Sequence, residues 1–229
     1  MSSKVDFFFN KEHIMLFILP FYAFFCIIEI IIIMNKIVIF ASGSGTNAEN
    51  IIKYFENKEI AAVVAVFTNN SNAGVIERAQ KFKVPIEIFS KTDFFENNFI
   101  QKIFSFKPDF IVLAGFLLKL PESLVQAFPN KIINIHPALL PKYGGKGMYG
   151  MNVHRAVVEN KEKETGITIH YVNENYDEGA IIFQKKVALL ITDTPEVVAE
   201  KIHELEQKHF PTAIEDLLAS SFQFPTSNL

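Results

Sequence analysis

Apolar runs and amphipathic stretches alternate along this chain from Lys36 onward. Ile37–Ala41 is continuous in apolar residues, stops at Ser42-Gly43-Ser44-Gly45-Thr46-Asn47, and is followed by Ile51, Ile52 and Phe55 at helical spacing. That is the pattern of a strand, a tight loop and a helix. Ile60–Phe67, Asp109–Ala114 and Lys131–Ile135 read as buried strands, and Pro85–Phe89 as a shorter one. Between them Ala73–Phe82 and Thr92–Phe106 carry helical spacing, the second with Phe95, Phe99, Ile103 and Phe104 on one face. A glycine-rich loop, Tyr143–Met151, leads into a helix from Asn152 to Glu159.

Thr165–Val172 and Ala180–Leu189 then read as a β-ribbon joined by Asn173–Gly179. Alternation puts Thr168, His170 and Val172 on one face of its first strand, and Ile167, Ile169 and Tyr171 on the other. Asp193-Thr194 is expected to cap a last helix from Pro195 to about Leu218, which Pro211 should kink or restart. Phe222–Leu229 reads as a frayed tail. In open α/β sheets ligands bind beyond the carboxyl ends of the strands, so the loops at Ser42, Gly115 and His136 should line one crevice.

The first 33 residues do not fit this alternation. The run 14–34 is about long enough to span a bilayer, but Pro20 interrupts it and Glu29 sits inside it. No small-residue cleavage site follows it. Three readings stand: a start at Met34 with a dispensable extension before it, a membrane anchor, or a targeting segment. The remainder, 34–220, is expected to be one domain, with 221–229 as tail. A net charge of −3 and only two arginines, Arg78 and Arg155, exclude a bulk electrostatic partnership with nucleic acid. The single Cys26 excludes an internal disulfide and fits a reducing compartment, hence the cytoplasm. The six histidines show no zinc spacing, so no metal is expected.

Chemistry concentrates in Asn134-Ile135-His136-Pro137-Ala138-Leu139-Leu140-Pro141 and, some forty residues on, in His170-Tyr171-Val172-Asn173-Glu174-Asn175-Tyr176-Asp177-Glu178-Gly179. An amide to bind a developing oxyanion, an imidazole to move protons and a carboxylate to orient it are what metal-free acyl transfer needs. The Ser42–Asn47 loop has two readings. It is a phosphate cradle made of backbone N–H groups at a helix N-terminus, or a plain connection with Thr46 as N-cap. It is neither a dinucleotide fingerprint nor a Walker loop.

With Ser42–Asn47, Leu113-Ala114-Gly115-Phe116, Asn134–Tyr143 and Asp177-Glu178-Gly179 in place, the chain resembles the phosphoribosylglycinamide formyltransferases, folate-dependent enzymes of purine synthesis. The resemblance runs from Asn35 to about Leu217. It implies the formyltransferase fold: an α/β, Rossmann-like, mostly parallel sheet with helices on both faces, a C-terminal β-ribbon and a long C-terminal helix. It implies 10-formyltetrahydrofolate as co-substrate, small-molecule partners only, and is compatible with a homodimer. Asn134, His136 and Asp177 match the family's catalytic residues, and His170 a histidine that supports them. Gly45, Thr46 and Asn47 would hold the ribonucleotide phosphate, and Glu206 the ribose hydroxyls. Phe116, Leu117, Leu118, Lys119 and Leu120, with Asn134, Asn173 and Asp177, would clasp the folate. Two departures stand out: many members carry an Arg where this chain reads Leu117-Leu118-Lys119, and the loop Gly144–Met151 is longer than in shorter members, with glycines that suit a lid. Methionyl-tRNA formyltransferase would need a further domain and a basic surface, and formyltetrahydrofolate hydrolase an N-terminal regulatory domain. A membrane-tethered nucleotide-binding module is the alternative from another class.

Overall fold

The first apolar run becomes β1 (Asn35–Phe40), and a place in the middle of a seven-stranded sheet is what buries almost every side chain of it. The computed structural model describes residues 34–221; the apolar run before Met34 and the tail from Phe222 lie outside the described residues. Parallel to β1 run β2 (Ala61–Thr68), β3 (Ile86–Ile88), β4 (Phe110–Leu113) and β5 (Ile132–His136). Antiparallel β6 (Glu164–Tyr171) then pairs with β5, and β7 (Ile181–Ala188) with β6, giving the order β3-β2-β1-β4-β5-β6-β7. The ribbon expected from the sequence therefore extends the parallel sheet. Its register sets His170 opposite Asn134 and Thr168 opposite His136.

Period-two alternation sends the strands' side chains to two separate cores. Ile37, Ile39, Ile133, Ile167 and Ile169 face α1 (Thr46–Glu56), α2 (Val75–Lys81), α5 (Met151–Glu159) and α6 (Pro195–Ser221). Val38, Phe40, Ile111 and Ile132 face α3 (Asn97–Ser105) and α4 (Glu122–Ala127). The second core is phenyl-rich: Phe40 stacks on Phe67 at 5.1 Å between centroids, and Phe89 meets Phe99 at 4.7 Å. Each fully buried phenyl contributes about 2 kcal/mol by transfer alone. Among the described residues no helix is long and apolar enough to cross a membrane.

Two local expectations are corrected, one short helix adds to them, and one cap is narrowed to a single residue. Thr92–Phe106 is not one helix: a 3-10 turn at Asp93–Phe95 ends at Glu96, whose extended backbone (φ −88, ψ 148) precedes α3. The break shifts the helical phase, so Phe94 is buried and Phe95 is exposed. The short α4 went unread, although Leu124, Val125 and Phe128 of Glu122–Phe128 are buried. Pro211 does not restart the last helix, which is continuous over 27 residues. Lacking an N–H, Pro211 cannot bond the carbonyl of Gln207 one turn back, and Asn50 Nδ2 of α1 donates to that carbonyl at 2.7 Å instead. Finally, it is the Thr194 hydroxyl that caps this helix, accepting from the Val197 N–H, while Asp193 accepts from the Leu190 N–H and pairs with Lys201.

Candidate active site

The loops following β1, β4 and β5 open onto a crevice of about 710 Å³, closed on its other sides by the Gly145–Gly150 loop, the Asn173–Asp177 loop and one face of α6. Every residue to which the sequence reading assigned a role lines it, from Gly45 to Glu206.

At one end stand Asn134, His136, His170 and Asp177. Asn134 and His136 come from alternate positions of β5, and His170 from the paired position on β6. Asp177 reaches them because its loop turns back on β6: a Cβ at Gly179 would lie 1.7 Å from the Tyr171 carbonyl oxygen, so only glycine allows the approach. Asp177 Oδ2 lies 3.6 Å from His136 Nδ1 and Oδ1 lies 3.7 Å from His170 Nε2. Both separations are beyond direct hydrogen-bond reach, and a water can bridge them. Oδ2 also accepts the Gly145 N–H at 2.9 Å, which ties the glycine-rich loop to the carboxylate.

Carbonyl partners fix the protons on both rings. A carbonyl only accepts, so His136 carries N–H at Nε2, donated to the Tyr143 carbonyl at 2.8 Å, and presents Nδ1 to Asp177. Tyr143 holds that carbonyl in place with a positive φ of 58 and a hydroxyl that donates to Glu162 at 2.9 Å. Burial, reinforced by Glu162, pushes the phenol up to about 12, so it remains a donor at any working pH. His170 donates Nδ1–H to the Tyr171 carbonyl at 2.8 Å. Burial holds its imidazole below the usual histidine range, so Nε2 stays bare and accepts from Asn134 Nδ2 at 3.2 Å. That contact fixes which way the Asn134 amide faces and leaves its second N–H for a ligand.

At the other end, α1 starts at Gly45 in the left-handed region (φ 77), with no side-chain cap, so Thr46 is not the N-cap. Glu49 N–H is the first to reach back, to Gly45 O at 2.9 Å, and the amides before it have no intrahelical partner. The loop carbonyls are held from behind: Val75 N–H donates to Gly43 O and Arg78 Nε to Ser44 O. The Asn47 side chain donates to Glu206 Oε2 and accepts from Gln207 Nε2, both at 2.8 Å. That fixes the orientation of the Asn47 amide, which leaves its backbone N–H and its second side-chain N–H for an anion. Along the third wall Phe116 packs edge-on against Phe40 at 5.3 Å, and Leu120 is buried in the phenyl core. Leu117 is exposed, and Lys119 lies 5.4 Å from the ring of Tyr176 across the crevice mouth.

His154 and His203, to which the sequence reading assigned no role, also line the crevice. His203 stands 3.7 Å from Glu206, which pushes its imidazole above the usual range. Their i, i+3 spacing on a helix was the available signal. His154, between Val153 and Val157 on the buried stripe of α5, carried none beyond being a histidine on an apolar face. Among the described residues no cluster of three His, Cys, Asp or Glu side chains could hold a metal ion.

Residues 35–214 match the formyl transferase family. A chloroplastic phosphoribosylglycinamide formyltransferase from Arabidopsis thaliana is 39% identical over 181 residues, covering 76% of this chain and 62% of that one. The phosphoribosylglycinamide formyltransferase of Bacillus subtilis is 37% identical over 191 residues, covering 81% of this chain and 95% of that one. Glycinamide ribonucleotide transformylase 1 from Symbiobacterium toebii has a crystal structure similar to this fold, with a TM-score of 0.75 at 29% identity over 82% of this chain and 89% of that one. The chain spans about three fifths of the length of the chloroplastic relatives it matches.

Proposed function

The chain belongs to the formyl transferase family, and from that premise we propose that it moves a formyl group from 10-formyltetrahydrofolate to the amine of a glycinamide ribonucleotide, releasing tetrahydrofolate, in purine synthesis. The observation that carries the reading is the pairing, within one crevice, of an amide–imidazole–carboxylate cluster with an anion-ready helix N-terminus. A substrate with a phosphate at one end and an amine at the other suits that arrangement. The folate formyl would enter between Phe116–Leu120 and Asn173–Asp177.

The amine attacks the formyl carbon, and the carbonyl electrons move onto oxygen. Asn134 donates its free amide N–H to that oxyanion. His136 has Nε2–H committed to Tyr143, so Nδ1 takes and returns the proton. Asp177 balances the imidazolium and orients a water through which His136 receives the proton from the amine and returns it to N10. The intermediate then collapses with cleavage of the carbon–N10 bond. Holding both substrates in place supplies much of the rate before any acid–base contribution. Cytoplasmic placement, with small molecules as the only partners, belongs to the same reading.

Residues 34–220 are proposed as the complete catalytic unit, because all the site residues lie downstream of Ser42. A chain starting at Met34 is expected to turn over glycinamide ribonucleotide as fast per folded molecule as the full chain, followed by tetrahydrofolate release. An inactive Met34 start beside an active full chain overturns that boundary. Inactivity of both overturns the function, and with it the tethered non-catalytic module gains.

The phosphate loop gives a second expectation. A Cβ at Gly45 would lie 2.5 Å from both Cα and Cβ of Val75, at a φ that disfavours side chains. Gly45→Val should therefore displace the loop itself and weaken ribonucleotide binding at least tenfold, by roughly 1–3 kcal/mol of strain. At Gly43 nothing lies within 4 Å of an added Cβ, so Gly43→Ala should fold as wild type and weaken only the ribonucleotide, through its approach to the exposed amides. Calorimetry showing equal losses of folate and ribonucleotide affinity for Gly43→Ala would refute the placement.

A further inference from the structure

His154 lines the crevice but has no part in the chemistry above. It lies in the first turn of α5 and is 6% exposed. Among the described residues it has no hydrogen-bond partner, and its Nδ1 is sealed from solvent. Buried polar groups in native folds are normally paired, and of the two unpartnered ring nitrogens only Nε2, which is not sealed, is open to a ligand in the crevice. His170 shows the ordinary solution in the same crevice: it is equally buried, and both its ring nitrogens are occupied. An imidazole that served only to fill space would be better replaced by an apolar side chain.

The titratable groups that act on it are Glu206 and His136. Burial holds the His154 ring below the usual histidine range, with His136 acting in the same direction and Glu206 against it. At neutral pH the ring is therefore uncharged, with one N–H and one lone pair. The sealed nitrogen is the better place for the lone pair, because an enclosed N–H would lose its donor interaction outright. That places the N–H on Nε2, the nitrogen that is not sealed.

We propose that His154 is a substrate-positioning residue, donating from Nε2 to a ribose hydroxyl of the ribonucleotide that Glu206 also engages. This rests on the formyltransferase reading of the crevice. Glu206 only accepts, and its Oε2 already takes the Asn47 amide. A hydroxyl that donates to this carboxylate keeps its own oxygen lone pairs free, and an uncharged N–H beside it completes that hydroxyl's bonding. A charged donor there would favour phosphate over hydroxyl, and the phosphate already has the α1 N-terminus.

The test is steady-state kinetics of the full chain with the glycinamide ribonucleotide and with its 2′-deoxy and 3′-deoxy analogues. His154→Leu should raise KM for the ribonucleotide about tenfold while kcat and the folate KM stay within about twofold. On the analogue lacking the shared hydroxyl, wild type and variant should have the same KM. His154→Gln, which restores an N–H donor, should recover part of the loss. An unchanged KM for the ribonucleotide, a KM raised by one factor on all three substrates, or loss of the folded state in both variants overturns the assignment. Absence of wild-type turnover instead overturns the reading of the crevice on which the assignment rests.

Discussion

His136→Ala is expected to lose at least a hundredfold in turnover while its thermal unfolding stays close to wild type. The ring is 3% exposed, with one nitrogen held by the Tyr143 carbonyl and the other facing Asp177. Removing it takes away the group proposed to carry the proton between amine and N10, a contribution usually worth about 10²–10⁴. The space it leaves is polar, bounded by a carbonyl and a carboxylate, so water can fill it and keep both paired. Rates from single-turnover formyl transfer, set beside melting curves, decide the matter. A folded variant keeping more than about a tenth of the wild-type rate removes His136 from the chemistry.

Asn134→Ala should cost about 10²–10³ in kcat, the usual loss for one oxyanion donor, with little change in KM for either substrate. The amide is oriented before substrate arrives. His170 is neutral, its Nδ1–H is spent on Tyr171, and its bare Nε2 can only accept, so Asn134 must turn its NH₂ toward it. His170→Ala should then cost less, about tenfold, since it frees the amide to rotate without removing it. If His170→Ala costs as much as Asn134→Ala, the histidine acts directly. If Asn134→Ala raises KM alone, the amide binds substrate and leaves the oxyanion to another group.

Much of the fold was open to reading from the pattern of apolar residues, and the misses share a cause. Strands β1, β2, β4 and β5 are mainly apolar because both faces of the sheet are covered, and their bounds fall within two residues of expectation. The errors arose where a helical period was interrupted or too short to establish itself. Glu96 breaks one period by adopting an extended backbone, and α4 has only six residues. The restart expected at Pro211 is absent for another reason. A proline breaks a helix when the carbonyl one turn back is left unpaired, and Asn50, far away in sequence, supplies the missing donor.

For the site, the residue types and their spacing already determined which groups could do the chemistry. Asn134 and His136 share a strand face, the Ser42–Asn47 loop opens a helix, and Asp177-Glu178-Gly179 marks a turn. Chain order carries no information on distance, and only the tertiary structure decided which of these groups meet. Strand pairing set His170 opposite Asn134, and the close approach at Gly179 brought Asp177 to both histidines. The packing of α6 on α1 joined Glu206 to Asn47 and so fixed which way the Asn47 amide faces. Protonation was decided there too. The Tyr143 and Tyr171 carbonyls choose the nitrogen that carries the proton on each ring, and burial keeps His170 and His154 uncharged. A hydrogen-bond acceptor or a layer of low-dielectric protein acts through space over a few ångströms, and a linear sequence does not record which residues come that close.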